Sequence, residues 1–242
     1  MTRETPKKLA VLGILAIAAA IAPSAAAAAQ PGVTTSVWTV HGSRASASSA
    51  VNVLTLSDQR RIDNRISAYI GPTGRLVLTA PEGLGDPDGS GPNCSLDNAK
   101  PSESSAQEVS CAPGYIGAIA GDLAGGGDIF DADPGLTVYV GAVIDGTRRP
   151  LAGGTGRDRL VGGAAPDLLD GGGGGDSIVG GGGEDFLIGG PGPDNLSGGG
   201  GSDVLIGLGG SDRLSGGPGK DFCRGGGGLD SGKSCDVSRG IP

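Results

Sequence analysis

The sequence predicts an all-β protein in which a right-handed parallel β-solenoid, or β-roll, occupies the C-terminal third and an irregular β region precedes it. Nine aspartates recur in this third at intervals of nine residues. In most units glycines stand five, four and two residues before the aspartate, and an apolar residue stands two after it. The 242 residues include 51 glycines but only three Phe, three Tyr and one Trp. A fixed period with few large side chains indicates coils that bury their apolar faces on one another instead of in one thick core.

Residues 1–29 have the features of an export signal. Arg3, Lys7 and Lys8 precede the apolar run 9–21, and five alanines end the segment at Ala29, where we expect cleavage. The apolar run is too short to span a membrane comfortably, so we expect no membrane span after cleavage. The mature chain is therefore predicted to be extracellular, where free calcium is plentiful, with a cell-surface or matrix partner as a further option.

Four cysteines, Cys94, Cys111, Cys223 and Cys235, are an even number in an exported chain, which favours disulfides over thiols. Four cysteines can form two disulfides in three different pairings. Proximity in the sequence favours Cys94 with Cys111 and Cys223 with Cys235. A zinc site is disfavoured because no C-x-x-C spacing is present and the single histidine, His41, is far away in the sequence.

Residues 30–150 are predicted to be a β-rich N-terminal region of wider solenoid coils, followed by the β-roll over 151–236 and a tail over 237–242. Polar and apolar residues alternate in short segments, which favours strands. These segments are 36–40, 51–56, 65–70, 75–79 and 136–140. The stretch 81–110 is rich in Pro, Gly, Ser and Asn and is predicted to be a long surface loop. The segment 125–130, Gly-Gly-Gly-Asp-Ile-Phe, resembles one repeat but lies out of phase, which indicates a wider coil of the same solenoid.

Each nonapeptide is predicted to contain a six-residue turn and a three-residue strand, because tight reversals at positive φ are cheap only for glycine. The middle residue of each strand points to the opposite face from its neighbours and can stack inward. These residues are Leu160, Leu169, Ile178, Leu187, Leu196, Leu205 and Leu214. Two units, 18 residues, then close one coil, so alternate aspartates fall on opposite edges. One edge carries Asp158, Asp176, Asp194, Asp212 and Asp230, and the other carries Asp167, Asp185, Asp203 and Asp221.

Stacked carboxylates on these edges predict binding of a hard cation. Neighbouring strands lie about 4.8 Å apart, so like charges repel while backbone carbonyls of the glycine turns face the same gap. Calcium accepts six to eight oxygens at about 2.3 to 2.6 Å in a tolerant geometry, whereas magnesium requires a stricter octahedron. Residues 153–236 contain twelve acidic and six basic residues. An acidic chain of this kind does not favour nucleic acid as a partner.

The frame G-G-x-G-x-D-x-U-x resembles the RTX, or hemolysin-type, calcium-binding repeat over roughly residues 153–232. The resemblance implies that Ca²⁺ ions lie between one turn and the turn two units later, in at most seven such gaps. The aspartates implied as ligands are Asp158, Asp167, Asp176, Asp185, Asp194, Asp203, Asp212 and Asp221. Turn glycines implied with them are Gly172, Gly174, Gly181, Gly183, Gly190, Gly192, Gly199 and Gly201.

Departures from the frame predict positions where calcium binding is weaker. Ala165 and Leu208 replace turn glycines, and a side chain there costs roughly 1 kcal/mol if φ must be positive. Cys223 takes the apolar position of its unit and Gly232 leaves that position empty in the last unit. We interpret Asp230 as part of a cap instead of a full ligand.

These observations predict a secreted, non-enzymatic protein that binds Ca²⁺ through its repeats and folds on binding, with no catalytic residues assigned. One alternative is a secreted hydrolase with residues 30–150 catalytic and the repeats as a calcium-dependent folding aid. Another is a cell-surface adhesin or matrix component. Two further motif matches are weak, because the P-loop-like 227–234 and the EF-hand-like 86–97 lack the helices that those motifs need.

Overall fold

The computed structural model describes residues 33–41, 50–57, 63–85, 93–97, 106–144 and 147–240. Its strands in chain order are β1 (Val33–His41), β2 (Ala50–Ser57), β3 (Arg65–Ile70), β4 (Leu76–Gly85), β5 (Cys94–Asp97), β6 (Ala106–Cys111), β7 (Ala118–Asp122), β8 (Ile129–Ala132), β9 (Tyr139–Val140), β10 (Ala142–Ile144), β11 (Thr147–Arg149), β12 (Leu151–Gly156), β13 (Arg159–Val161), β14 (Leu168–Gly174), β15 (Ser177–Gly182), β16 (Phe186–Pro191), β17 (Asn195–Gly200), β18 (Val204–Gly209), β19 (Arg213–Ser215), β20 (Phe222–Gly227), β21 (Ser231–Lys233) and β22 (Val237–Arg239). These ranges contain no helix, and hence none long and apolar enough to cross a membrane. The all-β class is confirmed, whereas the signal peptide predicted for residues 1–29 lies outside the described residues.

Strands of the C-terminal third alternate between two sets of parallel pairings. The odd sheet contains β13, β15, β17, β19 and β21, and the even sheet contains β12, β14, β16, β18, β20 and β22. Partners within the repeats are 18 residues apart, as in the pairs Ile178 with Leu196 and Leu187 with Leu205. The parallel solenoid and its predicted coil of two nonapeptides are therefore confirmed.

A narrow aliphatic core runs through the coils. The seven predicted inward residues, from Leu160 to Leu214, are at most 2% exposed. Cys223 continues the series beyond Leu214 at 0% exposed, as its position in the frame predicts. Each coil thus contributes only two aliphatic side chains to the core, which makes the glycine turns and the edges important for stability.

The strands extend further than the predicted three residues. β15 and β17 each have six, because Gly181 pairs with Gly199 and Gly182 with Gly200 after a short break. Turns of successive coils lie directly on one another and exchange backbone hydrogen bonds, such as Gly182 N–H to the Gly163 carbonyl at 2.9 Å. A Cβ on Gly181 would collide with the backbone carbonyl of Gly163. Glycine is required there because the two turns approach closely and because φ at Gly181 is positive.

The outer faces of the two sheets have opposite character. On β16, β18 and β20 of the even sheet, the half-buried outward residues are Phe186, Ile188, Val204, Ile206 and Phe222, which we call the apolar face. On the odd sheet the corresponding residues from Ser177 to Ser215 are mostly Ser, Asn and Arg, which we call the polar face. The guanidinium of Arg148 lies over the Phe186 ring, 4.6 Å from its centre, at one end of the apolar face.

Both sheets continue upstream of the repeats. β8 precedes β13 in parallel register, with Phe130 opposite Leu160, and β3 precedes β8 with Ile66 opposite Phe130. In the other sheet, β7 pairs with β12 and with β2. The hydrophobic core is continuous from Leu54 to Cys223. In this region longer connections between strands therefore replace the turns of the nine-residue units, while the strands remain stacked.

The predicted surface loop over 81–110 is wrong in large part. β4 runs on to Gly85, and β5 and β6 pair antiparallel within the predicted loop. Val109 in β6 is 0% exposed, and its burial stabilises this strand. The polar composition around it hid the strand from prediction. Within the predicted strand 136–140, only Tyr139–Val140 is a strand, and the Leu136 carbonyl instead accepts the N–H of Ala164.

Both predicted disulfides are present. Cys94 joins Cys111 across the paired strands β5 and β6, and Cys223 joins Cys235 near the C-terminal end of the roll. Each bridge remains within its own region of the chain. Disulfides of this kind form in oxidising compartments.

The two positions where another residue replaces a turn glycine differ in backbone conformation. Leu208 adopts φ 79°, so the predicted strain is confirmed there. Ala165 does not adopt a positive φ, and the prediction is wrong at that position. The following Pro166 restricts Ala165 to extended conformations, so this turn takes a different path.

We predict that Leu208→Gly stabilises the roll by about 1 kcal/mol, since a non-glycine residue in the left-handed region is strained. Little burial is lost, because Leu208 is 48% exposed. Thermal unfolding followed by circular dichroism measures the change. Leu229→Gly is the matched control, because Leu229 is 83% exposed without a positive φ and should gain nothing. An equal or larger gain for the control would contradict the prediction.

Candidate metal centre

Hydrogen bonds join the repeat aspartates into the two predicted ladders. The backbone N–H of each aspartate donates to Oδ1 of the aspartate one coil later. On one edge these bonds link Asp158, Asp176, Asp194, Asp212 and Asp230 at 2.8 to 3.0 Å. On the other edge they link Asp167, Asp185, Asp203 and Asp221 at 2.8 to 2.9 Å. The predicted separation of alternate aspartates onto opposite edges is confirmed.

Both ladders reach beyond the nonapeptides, which sequence reasoning missed. Asp128 N–H donates to Asp158 Oδ1 and Asn64 N–H to Asp128 Oδ1, each at 2.8 Å. At the other end, Asp221 N–H donates to Asp236 Oδ2 at 2.8 Å. The spacings here are 64, 30 and 15 residues, so no fixed period marks these positions. The Gly-Gly-Gly-Asp motif before Ile129 is the one sequence signal that could have identified Asp128.

The second carboxylate oxygen of the ladder aspartates is left buried and unbonded. In the described part of the chain, Oδ2 has no hydrogen-bond partner in eight of the nine repeat aspartates, which are Asp158, Asp176, Asp185, Asp194, Asp203, Asp212, Asp221 and Asp230. All nine residues are 4% exposed or less. Buried acceptors without a donor are costly and rare in folded proteins. Their regular recurrence therefore indicates that another electropositive group completes them.

Each Oδ2 lies close to the α-carbon of a turn glycine, and we call this position a recess. In one example, the recess is bounded by the α-carbon of Gly180, by Asp185 Oδ2 and by the carbonyl oxygen of Gly198. A Cβ added to Gly180 would lie less than 3.0 Å from both oxygens. Nine recesses of this form occur, beside Gly153, Gly162, Gly171, Gly180, Gly189, Gly198, Gly207, Gly216 and Gly225. In each, a carboxylate and a carbonyl oxygen of the next coil converge on a position where only glycine fits.

In seven of the nine recesses the carbonyl belongs to the first glycine of a repeat turn, and in the last two it belongs to Ser234 and Gly240. The glycines expected as ligands occupy the fourth and second positions before the aspartate instead, and they are Gly172, Gly174, Gly181, Gly183, Gly190, Gly192, Gly199 and Gly201. All eight have positive φ. The carbonyl of Gly172 lies against the α-carbon of Gly190 in the next coil, and that of Gly174 lies against Gly192. The structure thus brings the predicted aspartates together with a different set of turn glycines.

Asp167 differs from the other ladder aspartates. Its Oδ1 accepts the N–H of Val140 at 2.7 Å, and its Oδ2 accepts the N–H of Gly163 at 2.8 Å. Both oxygens therefore have protein donors, in the turn whose path Pro166 changes. Asp230, interpreted from the sequence as part of a cap, has the same buried environment as the aspartates of the full repeats.

Burial raises the pKa of the repeat carboxyls from Asp158 to Asp212. Desolvation raises the pKa of Asp176 to about 6 and the pKa values of Asp167, Asp185 and Asp194 to about 7, although backbone hydrogen bonds oppose the shift. For Asp185, the neighbouring carboxylates on its ladder also raise the pKa. The ionised ladder is consequently unfavourable unless positive charge is supplied.

The recesses have the donor chemistry that calcium prefers. Their converging atoms are carboxylate and carbonyl oxygens, and the described residues contain no lysine or arginine within salt-bridge distance of a ladder aspartate. The described chain also contains no cluster of three or more His, Cys, Asp or Glu side chains, so backbone carbonyls must supply part of any coordination. A cation bound by a carboxylate and several carbonyls fits calcium better than a metal that prefers nitrogen or sulfur.

The fold and these oxygen ladders define a parallel β-solenoid with repeated sites for a hard divalent cation. Comparison with protein families agrees, because residues 152–187, 180–213, 188–223 and 197–231 match the RTX calcium-binding nonapeptide repeat. Together the four copies cover about a third of the chain, and this segment is an array of RTX repeats. No curated protein matched the chain, and no solved structure matched it.

The raised pKa values predict how pH affects the calcium-free roll. The stability contribution of these carboxyls is present below the ordinary pKa of 3.8 and is lost as pH rises through the folded values of about 6 to 7. Calcium-depleted protein should therefore have a higher thermal midpoint at pH 4.5 than at pH 8. With calcium the trend should reverse, because the ion requires ionised ligands.

Circular dichroism melts between these pH values, with and without calcium, measure both trends. Asp185→Asn, which mimics the protonated carboxyl, should flatten the pH dependence of the calcium-depleted protein. A midpoint that rises with pH in the absence of calcium would contradict the assignment of these carboxyls as the dominant titrating groups.

Proposed function

We propose that this chain is an exported, non-enzymatic calcium-binding protein whose roll becomes ordered when Ca²⁺ occupies the recesses. The observation that carries the proposal is the repeated buried Oδ2 that faces a carbonyl oxygen of the next coil, within a segment of RTX repeats. Asp176, Asp185, Asp194 and Asp203 and their recesses stand in the most regular part of the repeat. Ions at these positions would neutralise the ladders and join successive coils.

Folding on binding follows from the weakness of the other stabilising terms. Glycine loses more conformational entropy on folding than any other residue, and these turns are largely glycine. Each coil buries only two aliphatic side chains against this cost, and the stacked carboxylates repel one another. A ligand that binds only the folded chain shifts the equilibrium by mass action. Calcium is therefore expected to stabilise the roll decisively.

Export is supported by residues 1–29 and by the two disulfides. A basic start, an apolar run and small residues before Gln30 are typical of a cleaved secretory signal. Disulfides persist in oxidising compartments outside the cytosol. Export would also place the repeats where calcium is available at concentrations high enough to occupy weak sites.

The absence of catalysis is part of the proposal. In the described residues, every buried ionisable side chain lies on the two aspartate ladders, where the repeat accounts for it. Active sites typically hold perturbed titratable groups in a cleft, away from any such regular array. The side chain of His41 lies outside the part of the structure whose side chains are described.

We predict a calcium-dependent gain of order in the purified protein. Circular dichroism should show more β structure in millimolar calcium than after calcium depletion, and native mass spectrometry should count the bound ions. The resemblance of the repeats implies up to seven ions, and the nine recesses set the upper limit. An unchanged spectrum together with no bound ion would contradict the proposal.

A neighbouring pair of acidic residues gives a matched mutational test. Asp185 is buried on its ladder, whereas Glu184 beside it is exposed. Asp185→Asn should remove at least one ion and weaken calcium binding by about tenfold, since a charged ligand contributes at least 1.4 kcal/mol. Glu184→Gln changes the net charge equally and should leave stoichiometry and affinity nearly unchanged. Calorimetric titration distinguishes the two, and equal losses would show that only net charge matters.

A further inference from the structure

The last coil of the solenoid is built differently from the repeats. Ser234 lies eighteen residues after Gly216, where a tenth unit would begin with glycine. Asp236 follows only two residues later, instead of the usual five, and its Oδ2 accepts the Asp221 N–H at 2.8 Å. β22 consequently pairs with β20 at a spacing of 15 residues, Phe222 with Val237. A shortened turn outside the matched segment 152–231 thus completes the ladder.

The recess beside Gly216 has one wall from the repeats and one wall from this shortened turn. Asp221 is 2% exposed, and its Oδ2 has no hydrogen-bond partner among the described residues. The oxygen that faces it is the backbone carbonyl of Ser234, and both lie less than 3.0 Å from the position of a Cβ on Gly216. The buried, unbonded oxygen points to a ligand at this position just as it does in the repeats.

Ser234 is held in a conformation that is unfavourable for serine. Its φ is 51°, in the left-handed region where a Cβ is normally penalised. In this conformation the carbonyl oxygen of Ser234 lies at the recess. Backbone bonds on both sides fix the segment, because the Lys233 carbonyl accepts the Gly216 N–H at 3.1 Å and Asp236 N–H donates to the Asp221 carbonyl at 2.9 Å.

The disulfide ties the two walls together. Cys223 follows Asp221 by two residues and is fully buried in the core, and Cys235 follows Ser234 directly. The bridge restricts the position of the Ser234 carbonyl before any ion arrives, which lowers the ordering cost of binding. The other terminal recess, formed by Asp230 and the Gly240 carbonyl beside Gly225, has no covalent tie of this kind.

We propose that Asp221 Oδ2, from the repeats, and the Ser234 carbonyl, from the shortened turn, form a terminal Ca²⁺ site at the end of the nonapeptide array, and that the Cys223–Cys235 disulfide maintains it. This site rests on the proposed calcium function and deepens it, because the ion in this one of the nine recesses depends on oxidation of the chain. Reduction by dithiothreitol transfers two electrons and two protons to the bridge, which gives two cysteine thiols and the cyclic disulfide of the reagent. The terminal ion is then released, while ions in the regular repeats remain.

The first test compares two substitutions of Ser234 in the full chain. Ser234→Pro fixes φ near −65° and turns the carbonyl away, so native mass spectrometry should count one ion fewer than in the wild type. Ser234→Gly keeps the positive φ without strain and should retain the full count. Circular dichroism in calcium checks that both variants keep the roll. An unchanged ion count in Ser234→Pro would overturn the terminal site.

The second test uses the other disulfide as an internal control. Calcium at Ser234 should slow reduction of Cys223–Cys235 by about tenfold when free calcium is ten times the dissociation constant, because the bound state resists opening. Reduction of Cys94–Cys111 should change little. Alkylation followed by peptide mass spectrometry measures both rates in one sample. Calcium protection that persists in Ser234→Pro would overturn the role of this carbonyl.

The two tests separate the terminal site from the proposed function. If the wild type binds no calcium, the proposed function fails. If the wild type binds several ions but Cys223→Val/Cys235→Ser binds the same number, the repeats function as proposed and the disulfide-maintained site is wrong. Valine keeps an apolar side chain in the core position of Cys223, so loss of the core does not account for a missing ion.

Discussion

The two oxygens of each ladder aspartate have separate roles, and the C-terminal architecture depends on this separation. One oxygen accepts a backbone N–H from the preceding coil, as Asp185 Oδ1 does from Asp167, and so fixes the distance and register between coils. The other oxygen faces a recess in which no side chain can reach it. A carboxylate bound through one oxygen cannot turn away to satisfy the second. The bond that aligns the coils therefore also leaves the second oxygen without a donor. Glycine and aspartate must recur together, because neither half of the recess exists without the other.

Burial of the ladders makes structure and charge interdependent. The pKa values of Asp176 and Asp185 rise because water is excluded from them, and water is excluded because the coils stack closely. Close stacking in turn requires the turns to be free of side chains, as the contact between Gly181 and the Gly163 carbonyl shows. Protonation and ion binding are thus alternative ways to neutralise the same oxygens. The aliphatic core gains only two residues per coil, so it leaves much of the stability to the edges.

Much of the fold could be predicted because period, strand alternation and coil length are properties of neighbouring residues. The inward residues and the two ladders follow from that local regularity, and both disulfides follow from the proximity of their cysteines in the sequence. Asn64, Asp128 and Asp236 could not be found in this way, since their positions on the ladders depend on long excursions or on a shortened turn. The strands within 81–110 were obscured because burial of Val109 comes from distant partners. Which turn glycine faces the aspartate likewise depends on how adjacent coils stack, which spacing alone does not fix.

The contrast between the two outer faces has a consequence for how such a chain can grow. Insertion of one nonapeptide would preserve every recess, because all units carry the first glycine and the aspartate that form it. It would, however, move each downstream unit to the opposite sheet, so that residues such as Phe222 would interrupt the polar face and residues such as Arg213 the apolar face. The terminal cysteine would change sides as well. Only duplication of an 18-residue pair leaves both surfaces and the end of the solenoid intact. A recess therefore repeats every nine residues, whereas the two outer faces repeat every eighteen.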